Sequence, residues 1–412
     1  NSRGGTEVVV QNIAQGLKSA GHEVFVITTC PWENGKSLKP QVREHDGVKI
    51  YEFYPFNIYH YAQGHRHNIL VRAIWHFFDL FNLHSFFVVK SILDKEKPDL
   101  VWTHNVMGVG IPAVEAVKFL GIRHFHTVHD VQLSLPSGLM IYGEENNAEA
   151  RFFLRPVYER VMQDVFSGAE KIFSPSKWLL NFYVDRGFFA GSKRVVLPNP
   201  VDLGTLGVQQ TCRTPAVQQS VRFLYLGQIE EHKGIKMLVK IFRHLLNEGR
   251  DNLELTLAGD GALLEAIKVL AFDEERIKIL GSIPHDKIGE LFAVADYLIV
   301  PSLCYENSPT VIFESLAHGV PVLAVNLGGI PEIIHDDENG YLFNPDDNSL
   351  KDVILRAATL DPFDKLRVNP ESGRGVDNYQ NLCQNGYITV HELSTGAYIQ
   401  KISSFLKTPE SS

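Results

Sequence analysis

The chain of 412 residues alternates, almost from end to end, between short aliphatic or β-branched runs and longer segments with helical periodicity. Such alternation is typical of βα units, in which parallel strands are joined by crossover helices. Near the start, a helix predicted at 6–20 ends at Gly21 and a strand follows at 24–28. The sequence therefore predicts an α/β protein built on doubly wound parallel sheets.

Two such domains are predicted, because the alternation stops and restarts once. We place a first domain at 1–202, a linker without sustained period at 203–220, a second domain at 221–360 and a tail at 361–412. Whether the tail returns to the first domain stays open, since its periodicity is irregular. Ligands of doubly wound sheets lie outside the carboxyl ends of the strands, so we expect the active site in a cleft between the domains.

The charge balance limits the ligands that such a protein can bind. Forty-eight Asp and Glu residues against 39 Lys and Arg give a net charge of −9, which disfavours nucleic acid as a partner. An anionic ligand must therefore meet local positive charge or oriented amides. The four cysteines lie far apart, and we find no apolar stretch long enough for a membrane span and no signal peptide. We expect a cytoplasmic protein, and we expect the sequence to begin inside its first structural unit.

The most informative motif is Tyr-Glu-Asn-Ser-Pro-Thr-Val-Ile-Phe-Glu at 305–314, directly after a strand predicted at 297–300. Ser308 is a good N-cap and Pro309 suits the first helical position, so a helix is predicted to start here. Its free amides and positive dipole end would form a seat for a phosphate group.

Two glutamates flank this predicted phosphate seat. Glu306 precedes the helix and Glu314 lies about five residues into it, so each carboxylate could accept hydrogen bonds from sugar hydroxyls. The alternative is that both are solvated or helix-stabilising acids, since two glutamates eight residues apart are common.

A second loop with ligand-binding potential lies at 226–234, between the first strand of the second domain and its helix. Gly227 permits close backbone approach, Gln228 is a neutral donor and Lys233 supplies a positive charge. These features suit a diphosphate. The alternative is an ordinary βα turn, because the loop matches neither a Walker motif nor GxGxxG.

The first domain offers a histidine and a glycine turn. His129 follows a predicted strand and could transfer a proton near a sugar, with Asp130 orienting it; a structural histidine is the alternative. Gly5 opens the first predicted helix and Gly329 a later one, and both could bring amides close to a ligand, or simply form turns. No motif has metal-ligand spacing, so we predict no bound metal.

Taken in order, these segments resemble the retaining family 4 (group 1) glycosyltransferases of the GT-B architecture. The resemblance covers about residues 2–350 and is most specific at 295–332. That block contains Ala-Asp-Tyr-Leu-Ile-Val-Pro-Ser, two glutamates with seven residues between them, and Gly-Gly-Ile-Pro-Glu. Further matching landmarks are Lys-Pro-Asp-Leu-Val at 97–101, Ser-Pro-Ser-Lys at 174–177 and Pro-Asn-Pro-Val-Asp at 198–202.

The resemblance implies a metal-independent enzyme that moves a sugar from a nucleotide diphosphate donor to a hydroxyl with retention of configuration. The nucleotide sugar is a co-substrate, and no cofactor is expected. Glu314 would hold the ribose hydroxyls, Glu306 would contact the donor sugar, and Lys233 would neutralise the diphosphate. The expected catalytic residues are Glu306, His129 and Lys233. The other expected donor-binding residues are Gly5, Gln228, Asn307, Ser308, Thr310, Val311, Glu314 and Gly329.

The sequence departs from the family pattern in three places. Gln228 stands where the family often has Arg, the strand expected before Gly4 and Gly5 is absent, and the tail lacks a clear long helix. A nucleotide-sugar-binding scaffold without turnover therefore stays open as an alternative. A nicotinamide dehydrogenase is disfavoured, because no GxGxxG follows a strand.

Residues 69–93 are unusually rich in apolar and aromatic side chains. One predicted helical face carries Leu70, Ile74, Phe77, Phe78, Phe81, Val88 and Ile92. The first interpretation is a core-facing helix. The second, supported by nearby Arg and Lys residues, is peripheral contact with an anionic membrane that carries a lipid-linked acceptor. The expected acceptor is a glycan or lipid-linked hydroxyl in surface polysaccharide or glycolipid assembly, with the donor base and sugar undetermined.

Overall fold

A computed structural model of the chain describes residues 5–146, 154–201, 220–359 and 376–406. It contains two compact units, each with its own sheets and helices. The first unit comprises 1–139, 147–200 and 398–412, and the second comprises 140–146 and 201–397. The α/β class is confirmed. All but residue 220 of the linker predicted at 203–220 lies outside the described residues.

The strands of the first unit form two sheets rather than the single predicted sheet. A three-stranded sheet has the order β1-β3-β2, and a four-stranded parallel sheet has the order β4-β5-β6-β7. Their bounds are β1 Phe25–Thr29, β2 Gln41–His45, β3 Val48–Phe53, β4 Leu100–Thr103, β5 Arg123–Thr127, β6 Lys171–Ser174 and β7 Lys193–Val196.

Strand β2 was not predicted because every one of its residues is exposed, so it carries no alternation of apolar and polar side chains. It pairs antiparallel with β3 through a two-residue turn at Asp46 and Gly47, whose φ angles are 49° and 73°. Positive φ at both central residues is typical of the hairpin turn that Asp-Gly favours. This dipeptide was the signal that could have revealed the strand.

The helices of the first unit lie close to the predicted ranges, with one exception. The helix predicted near 70–95 is two helices, because the Asn82 side chain accepts a 3.1 Å hydrogen bond from the Ser85 amide and caps a new helix. The helices are α1 Gly5–Ser19, α2 Ile69–Leu80, α3 Leu83–Glu96, α4 Pro112–Phe119, α5 Arg155–Phe166 and α6 Lys177–Val184.

The second unit is built on a parallel sheet with the strand order β10-β9-β8-β11-β12-β13. From β8 the chain winds outward through β9 and β10, then returns to the middle at β11 and winds the other way. The bounds are β8 Val221–Leu226, β9 Leu253–Ala258, β10 Ile277–Gly281, β11 Tyr297–Val300, β12 Val322–Val325 and β13 Gly340–Phe343. The strand order therefore reverses between β8 and β11, which is the point where doubly wound sheets bind ligands.

Helices cover this sheet, and the end of the chain belongs to the first unit. The helices of the second unit are α7 Ile235–Asn247, α8 Leu264–Leu270, α9 Ile288–Phe292, α10 Thr310–Ala317, α11 Asp347–Thr359 and α12 Val376–His391, and α13 Thr395–Leu406 follows them. In α13, Tyr398, Ile399 and Ile402 are buried in one apolar cluster with Val9 and Ile13 of α1. The described part of the tail thus contains helices that the sequence did not clearly predict.

Candidate functional site

Two loops of the second unit lead away from the point where the strand order reverses. One follows β8 and contains Lys233, and the other follows β11 and contains Glu306. Since β8 and β11 are hydrogen-bonded parallel neighbours, their carboxyl ends lie side by side at one edge of the sheet. The topology therefore brings together two residues that are 73 positions apart.

The Lys233 ammonium and the Glu306 carboxylate form an ion pair through Oε1 of the carboxylate. The two side chains are only 24% and 21% exposed. Ser302 Oγ donates a hydrogen bond to the same oxygen at 3.2 Å, and the Cys304 thiol donates to it at 3.5 Å. Glu306 is therefore fixed by three donors, one of which is charged.

The ionisation of this pair follows from its contacts. Burial raises the pKa of the Glu306 carboxyl, but the charge of Lys233 and the hydrogen bonds from Lys233, Cys304 and Ser302 together outweigh burial, so the pKa lies below its usual value. Burial opposes the charge of Lys233, but Glu306 raises the pKa of its ammonium above the usual value. Burial first and Glu306 second raise the pKa of the Cys304 thiol to about 11, so the thiol keeps its proton and can donate. Both members of the pair are charged at neutral pH.

Two glycines hold the backbone of Glu306. The Gly329 amide donates a 2.7 Å hydrogen bond to the Glu306 carbonyl. A Cβ at Gly328, where φ is +63°, would lie 2.3 Å from that same oxygen. The prediction that this segment opens an α-helix is wrong, because Ile330–Glu332 is a short 3₁₀ turn. The Gly329 amide thus positions Glu306, and the expected contact of Gly329 with a ligand stays a prediction.

The helix after Glu306 begins two residues later than Ser308. Pro309 occupies the N-cap position with an extended ψ of 120°, and α10 starts at Thr310, so the prediction of Ser308 as N-cap is wrong. Ser308 Oγ is buried and has no hydrogen-bond partner among the described residues. Asn307 is only 7% exposed. The amides of Thr310 and Val311 belong to the first turn, where intrahelical acceptors are lacking.

Glu314 lies one turn further along α10 and is partly buried. Burial raises the pKa of its carboxyl, and the charge of His285 opposes this effect. Gln228, in the other loop, is exposed, and its carbonyl accepts a hydrogen bond from the Tyr225 hydroxyl. The second unit therefore carries most of the predicted donor-binding residues on two loops and one helix.

A short segment that the sequence placed in the first domain belongs to the second unit. Residues 140–146 pair with the loop before Glu306: the Tyr142 amide donates to the Leu303 carbonyl at 2.8 Å, and the Tyr305 amide donates to the Met140 carbonyl at 3.0 Å. The Tyr305 hydroxyl donates to the Glu145 carboxylate at 2.6 Å. We call residues 140–146 the strap. The predicted boundary of 1–202 is thus corrected, and the sequence missed the strap because such pairing has no periodic signal.

In the first unit, His129 pairs with a second histidine. Nε2 of His129 lies 3.0 Å from Nδ1 of His104, with the rings nearly parallel. Burial lowers the pKa of the His129 imidazole to about 4, so the ring is neutral at physiological pH. Asp130, predicted to orient this ring, accepts a 2.8 Å hydrogen bond from the Gln132 amide. His104 is thus a hydrogen-bonding neighbour of the His129 ring that the sequence did not predict.

Gly5 is the first residue of α1 and is exposed. Close to it, Glu7 accepts a 3.1 Å hydrogen bond from the Tyr61 hydroxyl, and the Tyr61 ring packs against Gly108. Among the residues that the structure describes, no cluster of His, Cys, Asp or Glu is arranged to hold a metal ion.

Family models match most of the chain. A model described as Glycosyltransferase Family 4 matches residues 3–205, and one described as Glycosyl transferases group 1 matches residues 220–359. N-acetyl-alpha-D-glucosaminyl L-malate synthase of Bacillus anthracis is 24% identical over 359 residues, which cover 83% of this chain and 81% of that protein. Amylovoran biosynthesis glycosyltransferase AmsK of Erwinia amylovora is 30% identical over 150 residues, 34% of this chain and 37% of that protein.

A solved structure shares the fold over nearly the whole chain. The crystal structure of Anabaena HepE in complex with UDP and glucose has a TM-score of 0.67 and 16% sequence identity, and the match covers 99% of this chain and 97% of HepE. The two family models together span both units and include the segments that carry Lys233, Glu306 and Glu314. The chain belongs to the family 4 (group 1) glycosyltransferases and has the GT-B architecture.

Proposed function

We propose that this glycosyltransferase moves a sugar from a nucleoside diphosphate donor to a hydroxyl of a glycan or lipid-linked acceptor, with retention of configuration and without a bound metal. The observation that carries the proposal is the Lys233–Glu306 ion pair at the reversal of strand order. The complex of Anabaena HepE with UDP and glucose supports uridine diphosphate as the first nucleotide to test.

The charges at this site suit the departure of a diphosphate. As the glycosidic bond stretches, negative charge grows on the diphosphate and positive charge on the sugar. Lys233, Gln228 and the first amides of α10, at Thr310 and Val311, are fixed donors that stabilise the growing negative charge. Because Gln228 is neutral, Lys233 is the only charged group among these donors. It therefore contributes most of the stabilisation of the negative charge on the diphosphate.

The remaining residues hold the donor in place. Glu314 accepts hydrogen bonds from the ribose hydroxyls, and Glu306 accepts from hydroxyls of the donor sugar. Ser308 Oγ, buried without a partner among the described residues, donates to a phosphate oxygen beside Asn307. In the first unit, the proposal keeps the two roles that family membership implies: His129 beside the donor sugar and Gly5 near the diphosphate.

Retention is best explained by attack from the face that the diphosphate leaves. The acceptor oxygen forms a bond to the anomeric carbon, the bond from that carbon to the phosphate oxygen breaks, and the departing phosphate takes the acceptor proton. A two-step route would need a carboxylate nucleophile beneath the sugar. Glu306 suits that role poorly, because one of its oxygens is held by three donors.

We place the reaction in the cytoplasm, in the assembly of cell-surface polysaccharide or glycolipid. The partial similarity to a glycosyltransferase of amylovoran biosynthesis supports this placement. The scattered cysteines are compatible with a reducing compartment.

The proposal is tested by incubating the full chain with UDP-, GDP- and ADP-sugars and measuring release of the nucleoside diphosphate. We expect transfer, or slow hydrolysis, with one donor class, and an anomeric proton coupling in the product that matches the donor. Activity should survive EDTA. Binding of a nucleotide sugar with neither transfer nor hydrolysis would instead identify a scaffold.

A further inference from the structure

Helix α2 turns an apolar face toward solvent. Leu70, Ile74, Phe77, Phe78 and Phe81 recur at i, i+4, i+7, i+8 and i+11, and their exposed fractions are 72%, 50%, 60%, 39% and 58%. For these residues the core-facing interpretation of the sequence is wrong. The other two residues of the predicted face belong to α3: Ile92 is 2% exposed, and Val88 is partly buried and packs against a core cluster.

The opposite side of α2 is fixed to the rest of the first unit. Trp75 is 4% exposed and its indole donates a 2.8 Å hydrogen bond to the Tyr59 carbonyl. Asp79 is also 4% exposed and accepts a 3.1 Å hydrogen bond from the Gly108 amide. Because these contacts prevent rotation of the helix, the five apolar residues cannot turn inward.

A neighbouring loop extends this apolar area. Phe56 is 64% exposed, and its carbonyl accepts a 3.2 Å hydrogen bond from the Asn82 side chain at the start of α3. We call Phe56, the four apolar residues of α2 and Phe81 at its C-cap the apolar surface. A phenylalanine buries roughly 150–250 Å² when fully covered, so the phenylalanines alone expose a few hundred Å², comparable to the largest apolar patch of a typical monomer, which is often functional.

The charge around the apolar surface favours an anionic partner. Residues 54–89 contain a single carboxylate, the buried Asp79, against two basic residues, in a chain whose net charge is −9. The next basic residue, Lys90, is paired with Asp94. Arg72, on α2 itself, is exposed. A symmetric dimer through this surface would bring two positive regions together, whereas an anionic lipid headgroup layer complements them.

We propose that the apolar surface docks onto an anionic lipid bilayer, with its phenylalanine rings at the boundary between headgroups and acyl chains. Amphipathic helices rich in Phe and Leu bind membranes in this way, lying in the interface. The structure contains no membrane-spanning candidate among the helices it describes. Docking would therefore be peripheral and reversible.

The position of α2 connects the bilayer to the proposed reaction. Tyr61, in the turn before α2, hydrogen-bonds to Glu7 in the first turn of α1, close to Gly5. A lipid-linked acceptor in the bilayer would thus arrive beside the start of α1. This step rests on the proposed function, whereas lipid binding itself does not.

The test is co-sedimentation of the full chain with vesicles, in low salt and without any donor. We expect binding to vesicles of equal parts phosphatidylglycerol and phosphatidylcholine, and little to phosphatidylcholine alone. Phe77→Ser with Phe81→Ser should lower the partition coefficient about tenfold or more. Arg72→Gln should lower it about fivefold. Phe272→Ser, at an 84% exposed phenylalanine of the second unit, is the matched control and should bind like the unaltered chain.

Three results would overturn the proposal. They are no binding to anionic vesicles, equal binding by the double variant, and a dimer in sedimentation velocity that the double variant dissociates. The last result would identify the apolar surface as a contact with a second copy of the chain. An unchanged melting temperature of the double variant shows that lost binding is not unfolding. Since donor hydrolysis is measured without vesicles, failure here is distinguishable from failure of the proposed function.

Discussion

Lys233 and Glu306 meet as an ion pair although they belong to loops that follow two different strands. The pair exists because β8 and β11 are adjacent and parallel, so their carboxyl ends open onto the same edge of the sheet. The pair therefore connects the two loops that would bind the diphosphate and the donor sugar. Substitution of either residue should therefore alter the interactions of the other.

Replacing Lys233 with Met should lower turnover more than donor affinity. The ammonium interacts most strongly with the diphosphate once its negative charge has grown in the transition state. We expect kcat to fall about 100-fold or more, with a smaller change in the KM for the donor. Lys236→Met, at an exposed lysine paired with Glu231, is the matched control and should be near neutral. A KM effect larger than the kcat effect would contradict this role.

The stability of the pair can be measured with a double-mutant cycle. Lys233→Met leaves a largely buried carboxylate without its charged partner, so it should destabilise the protein more in the presence of Glu306 than beside Glu306→Gln. We expect a coupling of about 1–3 kcal/mol in the free energy of urea unfolding. The same cycle on the exposed Lys236–Glu231 pair should give less than about 1 kcal/mol. Equal coupling energies for the two pairs would show that burial does not strengthen the interaction between Lys233 and Glu306.

Glu314 should control donor affinity and its dependence on pH. Glu314→Gln should raise the donor KM about tenfold with little change in kcat, because contacts to ribose persist from ground state to transition state. Burial raises the pKa of this carboxyl, so it takes up a proton at a higher pH than an exposed glutamate. Affinity of the unaltered chain should therefore fall as the pH is lowered from neutral, whereas the Gln variant should respond less. Parallel pH profiles of the two proteins would refute the assignment.

The buried His124 should make the protein less stable in acid. Burial lowers the pKa of its imidazole from 6.5 to about 4. Between these pH values the unfolded chain binds a proton that the folded chain does not. The free energy of unfolding therefore decreases as the pH falls. One such group changes the free energy of unfolding by about 1.4 kcal/mol per pH unit.

His124→Gln removes this proton and can keep a donor or acceptor near Thr103, whose hydroxyl lies 2.8 Å from Nε2 of His124. Urea unfolding between pH 6 and pH 5 should show a slope smaller by about 1.4 kcal/mol per unit in the variant. An unchanged slope would mean that His124 titrates normally.

The strap should support catalysis through Tyr305. Tyr305→Phe removes the hydrogen bond to Glu145, and we expect a loss of about 3–10-fold in kcat/KM because the loop before Glu306 is less firmly held. Glu145→Gln should cost a similar amount, and the double change little more than either alone. Tyr142→Phe is the control within the strap, since its described contact is made by the backbone. Fully additive losses would argue against a shared contact.

Sequence patterns predicted those parts of the molecule that local chemistry determines. Strand β11 is a continuous apolar run and β8 is apolar apart from Arg222, and the loops after them carry the residues that the family resemblance singled out. Contacts between distant segments leave no such signal. The strap at 140–146, the bond from Gly329 to Glu306 and the pairing of His104 with His129 depend on tertiary structure alone.

Two predictions failed because competing local interactions decide the boundary. The start of α10 at Thr310 follows from the extended backbone of Pro309, which keeps Ser308 outside the helix. The break between α2 and α3 follows from the Asn82 cap, which apolar periodicity does not reveal. The sequence left two interpretations of the apolar face of α2, a core-facing helix and contact with a membrane. Periodicity identifies an apolar face but does not show what covers it.

The most direct test of the account is calorimetric titration of UDP, GDP and ADP into the full chain and into Glu314→Ala. We expect at least one nucleoside diphosphate to bind with a Kd below about 1 mM, and Glu314→Ala to weaken its binding about tenfold or more. No measurable binding of any of the three, or equal affinity in Glu314→Ala, would contradict the assignment of the donor site.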